Sequence, residues 1–339
     1  MDIGLLQKMV NDKLITVAKH PSEDLFIYNY TSRVQYDKIW NEATMMSRGL
    51  ILDINNNIVA RPFKKFFNLD EINKKDLPNE PFEVLEKLDG SLGILYWINE
   101  IPHITTRGNF ESKQSVIATK ILHEKYSGSF KRLEKNKTYL FEIIFPENRI
   151  VVDYGDLEDI LLIGIIDNET GSDYQLDKTL GFNIVKHIDG INNFDELKKM
   201  ENDVDEGFVI KFKNGLRIKL KFTEYVKLHR IITGISNVAI WRYLSEGRKL
   251  DEVLERVPDE LYHWVKSTKE DLERSYSEIL EQCNLDYKEL NTTKETALYF
   301  QTKQYPSVLF SMLNKKNIEP IIWRIVRPKF SKAFKNIEE

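Results

Sequence analysis

The segment Glu86-Lys87-Leu88-Asp89-Gly90-Ser91 ends one apolar run (Phe82, Val84, Leu85) and opens another (Leu92, Ile94, Leu95, Tyr96). A lysine so placed is unusual, because lysine is rarely buried without a partner or a task. Its amine is a nucleophile once deprotonated; the plainer reading is a solvated turn built on Asp89-Gly90. Two carboxylates occupy comparable settings. Glu142 lies within Leu140, Phe141, Ile143, Ile144 and Phe145, and strand alternation puts it on the face of Leu140 and Ile144. It needs a cationic or hydroxyl partner there, and Arg149 would serve a purely structural pair. Glu206 opens the apolar strand Gly207-Phe208-Val209-Ile210, whose hairpin partner runs Arg217-Ile218-Lys219-Leu220-Lys221-Phe222. Alternation places Arg217, Lys219 and Lys221 on one face. Cations suit phosphates and carboxylates suit a metal, so the set reads as a site for an anionic ligand. Arg48 and Lys65 could join it, although exposed basic residues are their plainer reading. The adjacent Phe66 and Phe67 put one ring on each face, where a base or ribose could pack.

These residues must be held by short strands. From Leu25 to Phe222 the chain alternates β runs with turn signals: Gly49–Ile54 and Ile58–Phe63 around Asn55-Asn56-Asn57, and Leu92–Ile98 and His103–Thr106 around Asn99-Glu100. Tyr139–Phe145, Ile150–Asp153 and Leu161–Asp167 follow. Gly207–Phe212 and Leu216–Phe222 then meet through Asn214-Gly215, a strong hairpin signal. A helix is expected over 4–17, with Leu5, Met9 and Leu14 on one side, and others over Lys113–Lys125 and Phe194–Met200. After Phe222 the period changes. Leu250, Val253, Leu254 and Val257 make one helical face before Pro258, and Leu261, Trp264, Val265, Leu272, Tyr276 and Ile279 make the stripe of a longer helix. Val308–Leu313, with Pro306 in its first turn, and Ile318–Val326 are shorter helices. The expected class is α+β. An antiparallel-sheet domain over 1–228 precedes an all-helical domain over 229–339.

At 339 residues two domains are the natural expectation. No apolar run approaches the length of a membrane span, and the N-terminus lacks the pattern of a secretory signal. A single cysteine, Cys283, excludes an internal disulfide and fits a reducing, cytoplasmic setting. Six scattered histidines offer no soft-metal cluster, so any metal is a hard ion held by oxygens. The net charge of −4 does not advertise nucleic-acid binding. Its distribution is uneven: residues 251–300 hold six basic against thirteen acidic residues, and residues 301–339 hold eight against three. The basic tail, with Lys315, Lys316, Arg324, Arg327, Lys329, Lys332 and Lys335 and with Trp323 and Phe330 interleaved, is the better candidate to touch a phosphate backbone.

In order, Lys87-Leu88-Asp89-Gly90, Phe141-Glu142, Glu206-Gly207-Phe208-Val209 and Lys219-Leu220-Lys221 resemble motifs I, III, IV and V of the covalent nucleotidyltransferases. That superfamily includes ATP-dependent polynucleotide ligases and mRNA capping enzymes. The chain is most similar to the RNA ligase family of the T-even phages. It shares Ser47-Arg48-Gly49, Arg61-Pro62, Lys65-Phe66-Phe67-Asn68-Leu69, Asn148-Arg149-Ile150-Val151, Asn168-Glu169-Thr170-Gly171 and Tyr225-Val226 with Leu228-His229. The resemblance covers roughly residues 25–230. It departs at Arg107-Gly108, where the family tends to carry Lys-Gly, and after 230 only helicity is shared. Capping enzymes and DNA ligases carry a β-barrel after motif V, and the helical pattern here argues against both.

The resemblance implies an ATP-grasp-like nucleotidyltransferase domain and three chemical steps. Lys87 attacks the α-phosphate of ATP to form lysyl–AMP; AMP passes to an RNA 5′-phosphate; a 3′-OH then displaces AMP. It implies catalytic roles for Lys87, Glu142, Glu206, Lys219 and Lys221. It also implies nucleotide contacts from Arg48, Lys65, Phe67, Glu86, Lys87, Gly90, Arg107, Glu142, Val209, Lys219 and Lys221. Asp89, Glu142 and Glu206 would hold Mg²⁺ or Mn²⁺, with Glu142 alternatively on the ribose. RNA bearing 5′-phosphate and 3′-OH ends is the expected partner, in RNA repair with tRNA among the candidates, and the chain could be phage-encoded. An end-healing kinase/phosphatase would be a further partner, since this chain has no Walker A motif. Two other readings stand beside this one: a ligase preferring duplex nicks or DNA, and a non-catalytic ATP sensor.

Overall fold

The computed structural model describes residues 1–191, 193–248 and 259–331. The chain divides into two units, Met1–Val226 and the part from Lys227 onward. The first unit is built on fourteen strands: β1 Ile15–Lys19, β2 Leu25–Tyr30, β3 Arg48–Asp53, β4 Ile58–Ala60, β5 Phe67–Asn68, β6 Phe82–Lys87, β7 Ser91–Ile98, β8 Ile101–Thr105, β9 Lys137–Ile144, β10 Asp159–Asp167, β11 Asp173–Tyr174, β12 His187–Ile188, β13 Gly207–Phe212 and β14 Arg217–Lys221. They form three sheets, ordered β1-β2-β3-β4, β11-β10-β9-β7-β8 and β12-β6-β13-β14-β5. Every pairing is antiparallel except β14 with β5.

Apolar faces join the sheets. Ile27, Ile51 and Ala60 of the first pack with Ile94, Tyr96, Leu140 and Ile166 of the second. Leu85 of β6, Leu88 of the following turn and Ile144 of β9 join the second sheet to the third. The turn after Lys87 is thus anchored on both sides of its lysine. The helix Lys113–Tyr126, capped by the Ser112 hydroxyl, covers the other face of the second sheet through Ala118, Ile121 and Leu122.

Two expected elements differ. The helix expected over 4–17 ends at Asn11, because Lys13 takes a left-handed φ of 58° and turns the chain. The β-branched Ile15, Thr16 and Val17 then form β1 against β2. Ile150–Asp153 is not a strand: the Val151 and Val152 amides donate to the Asp89 carboxylate and not to a neighbouring strand.

The second unit is helical among the described residues: Asn237–Ser245, Asp259–Asp286, Thr293–Gln301, Pro306–Leu313 and Glu319–Val326. Ile279, Cys283, Phe300, Val308, Leu309 and Ile322 form its core. Thr223–Gly234 runs from the first unit into the second. The helical face expected at Leu250, Val253, Leu254 and Val257 lies outside the described residues, as do Lys332 and Lys335. No helix among the described residues is long and apolar enough to cross a membrane.

Candidate active site

Strand register assembles the site. Lys87, the last residue of β6, lies opposite Gly207, the first of β13, and Gly207 lies opposite Lys221, the last of β14. Gly207 has φ 139°, and a Cβ there would lie 2.0 Å from the Leu220 carbonyl oxygen, so the position next to Glu206 admits only glycine. Glu206 is 2 % exposed, and its two oxygens are divided between lysines: Lys87 Nζ donates to Oε2 at 2.7 Å and Lys221 Nζ to Oε1 at 2.8 Å. Burial opposes its ionisation, but the two lysines prevail and hold the carboxyl below its ordinary range. Burial likewise works against the Lys87 ammonium, and Glu206, Glu142 and Asp89 overcome it, so the amine is more basic than a free lysine.

Glu142 reaches the site from the second sheet. It pairs with Leu92 across β7 and β9, and its Oε1 accepts the Gly90 N–H at 3.0 Å. A Cβ at Gly90 would meet the Ile143 carbonyl oxygen at 2.5 Å, so the second residue after Leu88 must be glycine for the turn into β7 to lie against β9. Burial, only partly offset by Lys87, pushes Glu142 up to about 7. Arg149, the structural partner expected for Glu142, bonds Asp153 at 2.9 Å.

Asp89 is 3 % exposed and committed at both oxygens. Oδ2 accepts from Val151 N at 2.8 Å and Val152 N at 2.9 Å, Oδ1 accepts from the Tyr225 hydroxyl at 2.8 Å, and the Asp89 N–H donates to the Tyr154 hydroxyl at 2.8 Å. Burial and Glu206 raise its pKa against those hydrogen bonds. Expected as a metal-holding carboxylate, Asp89 has its oxygens already occupied by the brace of the turn. Tyr225, in the first turn of Thr223–Gly234, also borders Glu206 and lies 4.9 Å beneath the Lys221 ammonium. In the sequence Tyr225 carries no evident role and Tyr154 gives no signal; the one hint is Tyr225's spacing of four residues from Lys221.

Lys219 pairs with Val209 on one side and Asn68 of β5 on the other. Burial, then Lys65, Lys87, Arg48 and Lys221, lower its pKa to about 6. Lys65 is lowered too, by burial first, and its ammonium lies 5.4 Å from both the Trp40 and Phe67 rings. Arg48 and Arg107 act on Lys65, and a Cβ at Gly49 (φ 96°) would lie 2.9 Å from Arg107 Cα, so the two arginine segments lie against each other. Phe67 meets Trp40 edge-on at 5.5 Å, while Phe66 faces Phe63 and Lys219. Trp40 had given no sequence signal.

Three residues stand apart from this cluster. Glu86 points to the face of β6 opposite Lys87 by strand alternation; burial and Asp205 raise its pKa against Lys186. Val209 packs beside Leu85 and Val185. Arg217 pairs with Asp173 and lies 4.1 Å over the Phe63 ring, which makes it part of the scaffold.

Cations crowded around a buried lysine repel one another, and a polyanion would relieve them. A triphosphate fits that chemistry. Among the described residues no group of three or more His, Cys, Asp or Glu could hold a metal ion. A hydrated Mg²⁺ that draws its other oxygens from phosphates and water would need few protein ligands: Glu142 fits that role, and Glu206 fits it by giving up one of its two lysines.

A family model described as RNA ligase matches residues 46–226, more than half of the chain. A "Putative RNA ligase" of Thermovibrio ammonificans is 27% identical over 260 residues, covering 66% of this chain and 68% of the relative. A "Putative bifunctional polynucleotide kinase/RNA ligase" of Autographa californica nuclear polyhedrosis virus is 27% identical over 262 residues, 67% of this chain and 36% of the relative. Among solved structures, an archaeal ATP-dependent RNA ligase superposes with a TM-score of 0.51 at 13% identity, covering 72% of this chain and 65% of that one. That last likeness is one of fold.

Proposed function

We propose, from the premise that the chain belongs to the RNA ligase family, that it joins RNA 5′-phosphate and 3′-OH ends at the expense of ATP through a lysyl–AMP intermediate. The observation that carries this is the placement of Lys87: its amine shares a buried glutamate with Lys221, beside a third lysine, Lys219, that burial and neighbouring cations destabilise as an ammonium.

Lys87 starts as an ammonium and must lose its proton to attack. Of the carboxylates that act on it, Glu142 near 7 can accept a proton at neutral pH, whereas Glu206 is held too acidic. The Nζ–phosphorus bond then forms as the bond to the β-phosphate oxygen breaks and pyrophosphate leaves. Lys219 and Lys221 stabilise the charge on the transferring phosphoryl group, and Arg48, Lys65 and Arg107 hold the remainder of the triphosphate. Phe67 and Trp40 offer rings for the nucleoside. In the second step an RNA 5′-phosphate oxygen takes the adenylyl phosphorus and Lys87 is regenerated. In the third a 3′-hydroxyl oxygen attacks the 5′-phosphorus and AMP departs. A bound Mg²⁺ or Mn²⁺ supplies further charge neutralisation, with Glu142 and Glu206 as the carboxylates that would hold it.

Use of ATP sets the reaction inside a cell. A kinase-type activity would supply 5′-phosphate ends where cleavage leaves 5′-OH, the pairing that the name of the viral relative carries within one chain. RNA repair is the process this chemistry serves, and tRNA is one candidate substrate. The test uses α-labelled ATP with Mg²⁺, followed by a denaturing gel. The wild-type chain retains label and Lys87→Ala does not, yet Lys87→Ala still seals pre-adenylated RNA because the amine is consumed only in the first step. A sensor would bind ATP and retain no label. A duplex or DNA ligase would seal a pre-adenylated DNA nick faster than single-stranded RNA.

A further inference from the structure

Residues 324–331 carry three cations, Arg324, Arg327 and Lys329, and no carboxylate. All three are exposed. Between the last two cations and the end of the described segment stands Phe330, 67 % exposed and the one exposed phenylalanine among the described residues. An isolated apolar side chain in water is ordinary. The support beneath this one is not.

Asn237, the first residue of the helix Asn237–Ser245, grips the backbone on both sides of Phe330. Its N–H donates to the Ser331 carbonyl at 3.0 Å, its Nδ2 donates to the Lys329 carbonyl at 2.6 Å, and its Oδ1 accepts from the Ser331 N–H at 2.8 Å. Four residues along the same helix, the Trp241 ring lies 5.2 Å from the Arg327 guanidinium, and its Nε1 donates to the Trp323 carbonyl at 2.7 Å. Trp323 itself packs against Tyr276, with ring centroids 4.8 Å apart, and is spent on the core. The segment is thus fixed to one helix at three points while its phenyl ring and its charges face solvent.

We infer that Arg324–Ser331 is a contact surface for unpaired RNA, with Phe330 as a stacking platform for a base and Arg327 and Lys329 on the flanking phosphates. An aromatic face set among cations matches the chemistry of a single strand, whose bases are free to stack and whose backbone is anionic. A duplex keeps its bases stacked on one another and gains little from the ring. The inference rests on RNA being the substrate; it does not depend on the adenylation site.

The experiment measures equilibrium binding of the full-length chain to a fluorescent single-stranded RNA and to a blunt RNA duplex of the same length, at two salt concentrations, with label transfer from ATP as a parallel control. Phe330→Ala lowers single-strand affinity by about fivefold or more, and Phe330→Trp preserves it. Duplex affinity and self-adenylation stay unchanged. Arg327→Ala with Lys329→Ala weakens both RNAs and flattens the salt dependence. Asn237→Ala, which frees the segment without touching the ring, reproduces part of the Phe330→Ala loss. Unaltered single-strand binding by Phe330→Ala, or equal losses on strand and duplex, overturns the inference, as does a chain that binds no RNA. Failure of the chain to take label from ATP would instead count against the proposed function and leave this reading to its own assay.

Discussion

A carboxylate shared by two lysines keeps Lys87 both in place and protonated, so the resting site is ordered but not yet reactive. Glu206→Gln keeps the shape and removes the charge. Lys87 and Lys221 lose their common partner, and adenylation measured by label transfer should fall by about 10²–10³. The lysine side chains are 19% and 25% exposed and can recruit water, so the thermal midpoint should move much less than activity does. A collapse of stability with adenylation retained would make Glu206 structural.

Titration of Lys219 offers a second test at this scale. With a pKa near 6 the amine is neutral at pH 8 in the free chain, and a bound triphosphate raises it back toward the ordinary lysine value. ATP binding should therefore take up a proton between about pH 7 and 9, seen as a dependence of the calorimetric heat on buffer ionisation enthalpy. Lys219→Met should abolish that uptake. The same depression means that the unfolded chain binds a proton the folded chain does not, between about 6 and the ordinary lysine range, so this group makes stability rise with pH over that window. Glu142 has the opposite sign. Its raised carboxyl contributes stability that is complete below the ordinary value of 4.5 and is lost as pH rises through about 7. Its ionisation should also set the acid limb of adenylation near 7, a limb that Glu142→Gln should remove from whatever rate remains.

Among elements, the turn between β6 and β7 is where the sequence was most and least informative. Lys87, Glu206, Lys219 and Lys221 were legible because each carboxylate or cation interrupts an apolar strand, and the Asn214-Gly215 hairpin fixes the register of two of them. The brace beneath was not legible. Asp89 reads equally well as a turn residue or a metal ligand, and only the fold brings it to the Val151 and Val152 amides 62 and 63 residues away. Those two valines read as a strand by propensity, and tertiary hydrogen bonding overrides it. Tyr225→Phe removes one hydrogen bond to Asp89 while keeping the ring under Lys221. Since that bond favours the Asp89 carboxylate, its loss should raise the Asp89 pKa further, loosen the turn that carries Lys87, and slow adenylation by about tenfold with little change in the KM for ATP. A change in KM alone would place Tyr225 on the nucleotide and not on the turn. Gly90→Ala should be more damaging, because its Cβ meets a backbone oxygen that cannot move without shifting β9.

On the scale of the whole molecule, every residue of the proposed chemistry lies in the unit Met1–Val226, and the change of hydrophobic period after Phe222 marks where that unit ends. Short strands with turn signals made the sheet domain readable; the order of three sheets was not, since it depends on pairings such as Lys87 with Gly207 across 120 residues. The helical unit was readable as helical from its apolar stripes, but not the support of Phe330 by Asn237, a contact that no local pattern encodes. The central claim is that the amine of Lys87 carries AMP. Intact-mass measurement of the chain after incubation with ATP and Mg²⁺, followed by peptide sequencing of the modified species, tests this most directly. The account predicts a mass increase of one adenylyl group, located on Lys87, reversed by pyrophosphate and absent in Lys87→Ala. An unmodified mass, or an adenylyl group on Lys219 or any other residue, would contradict it.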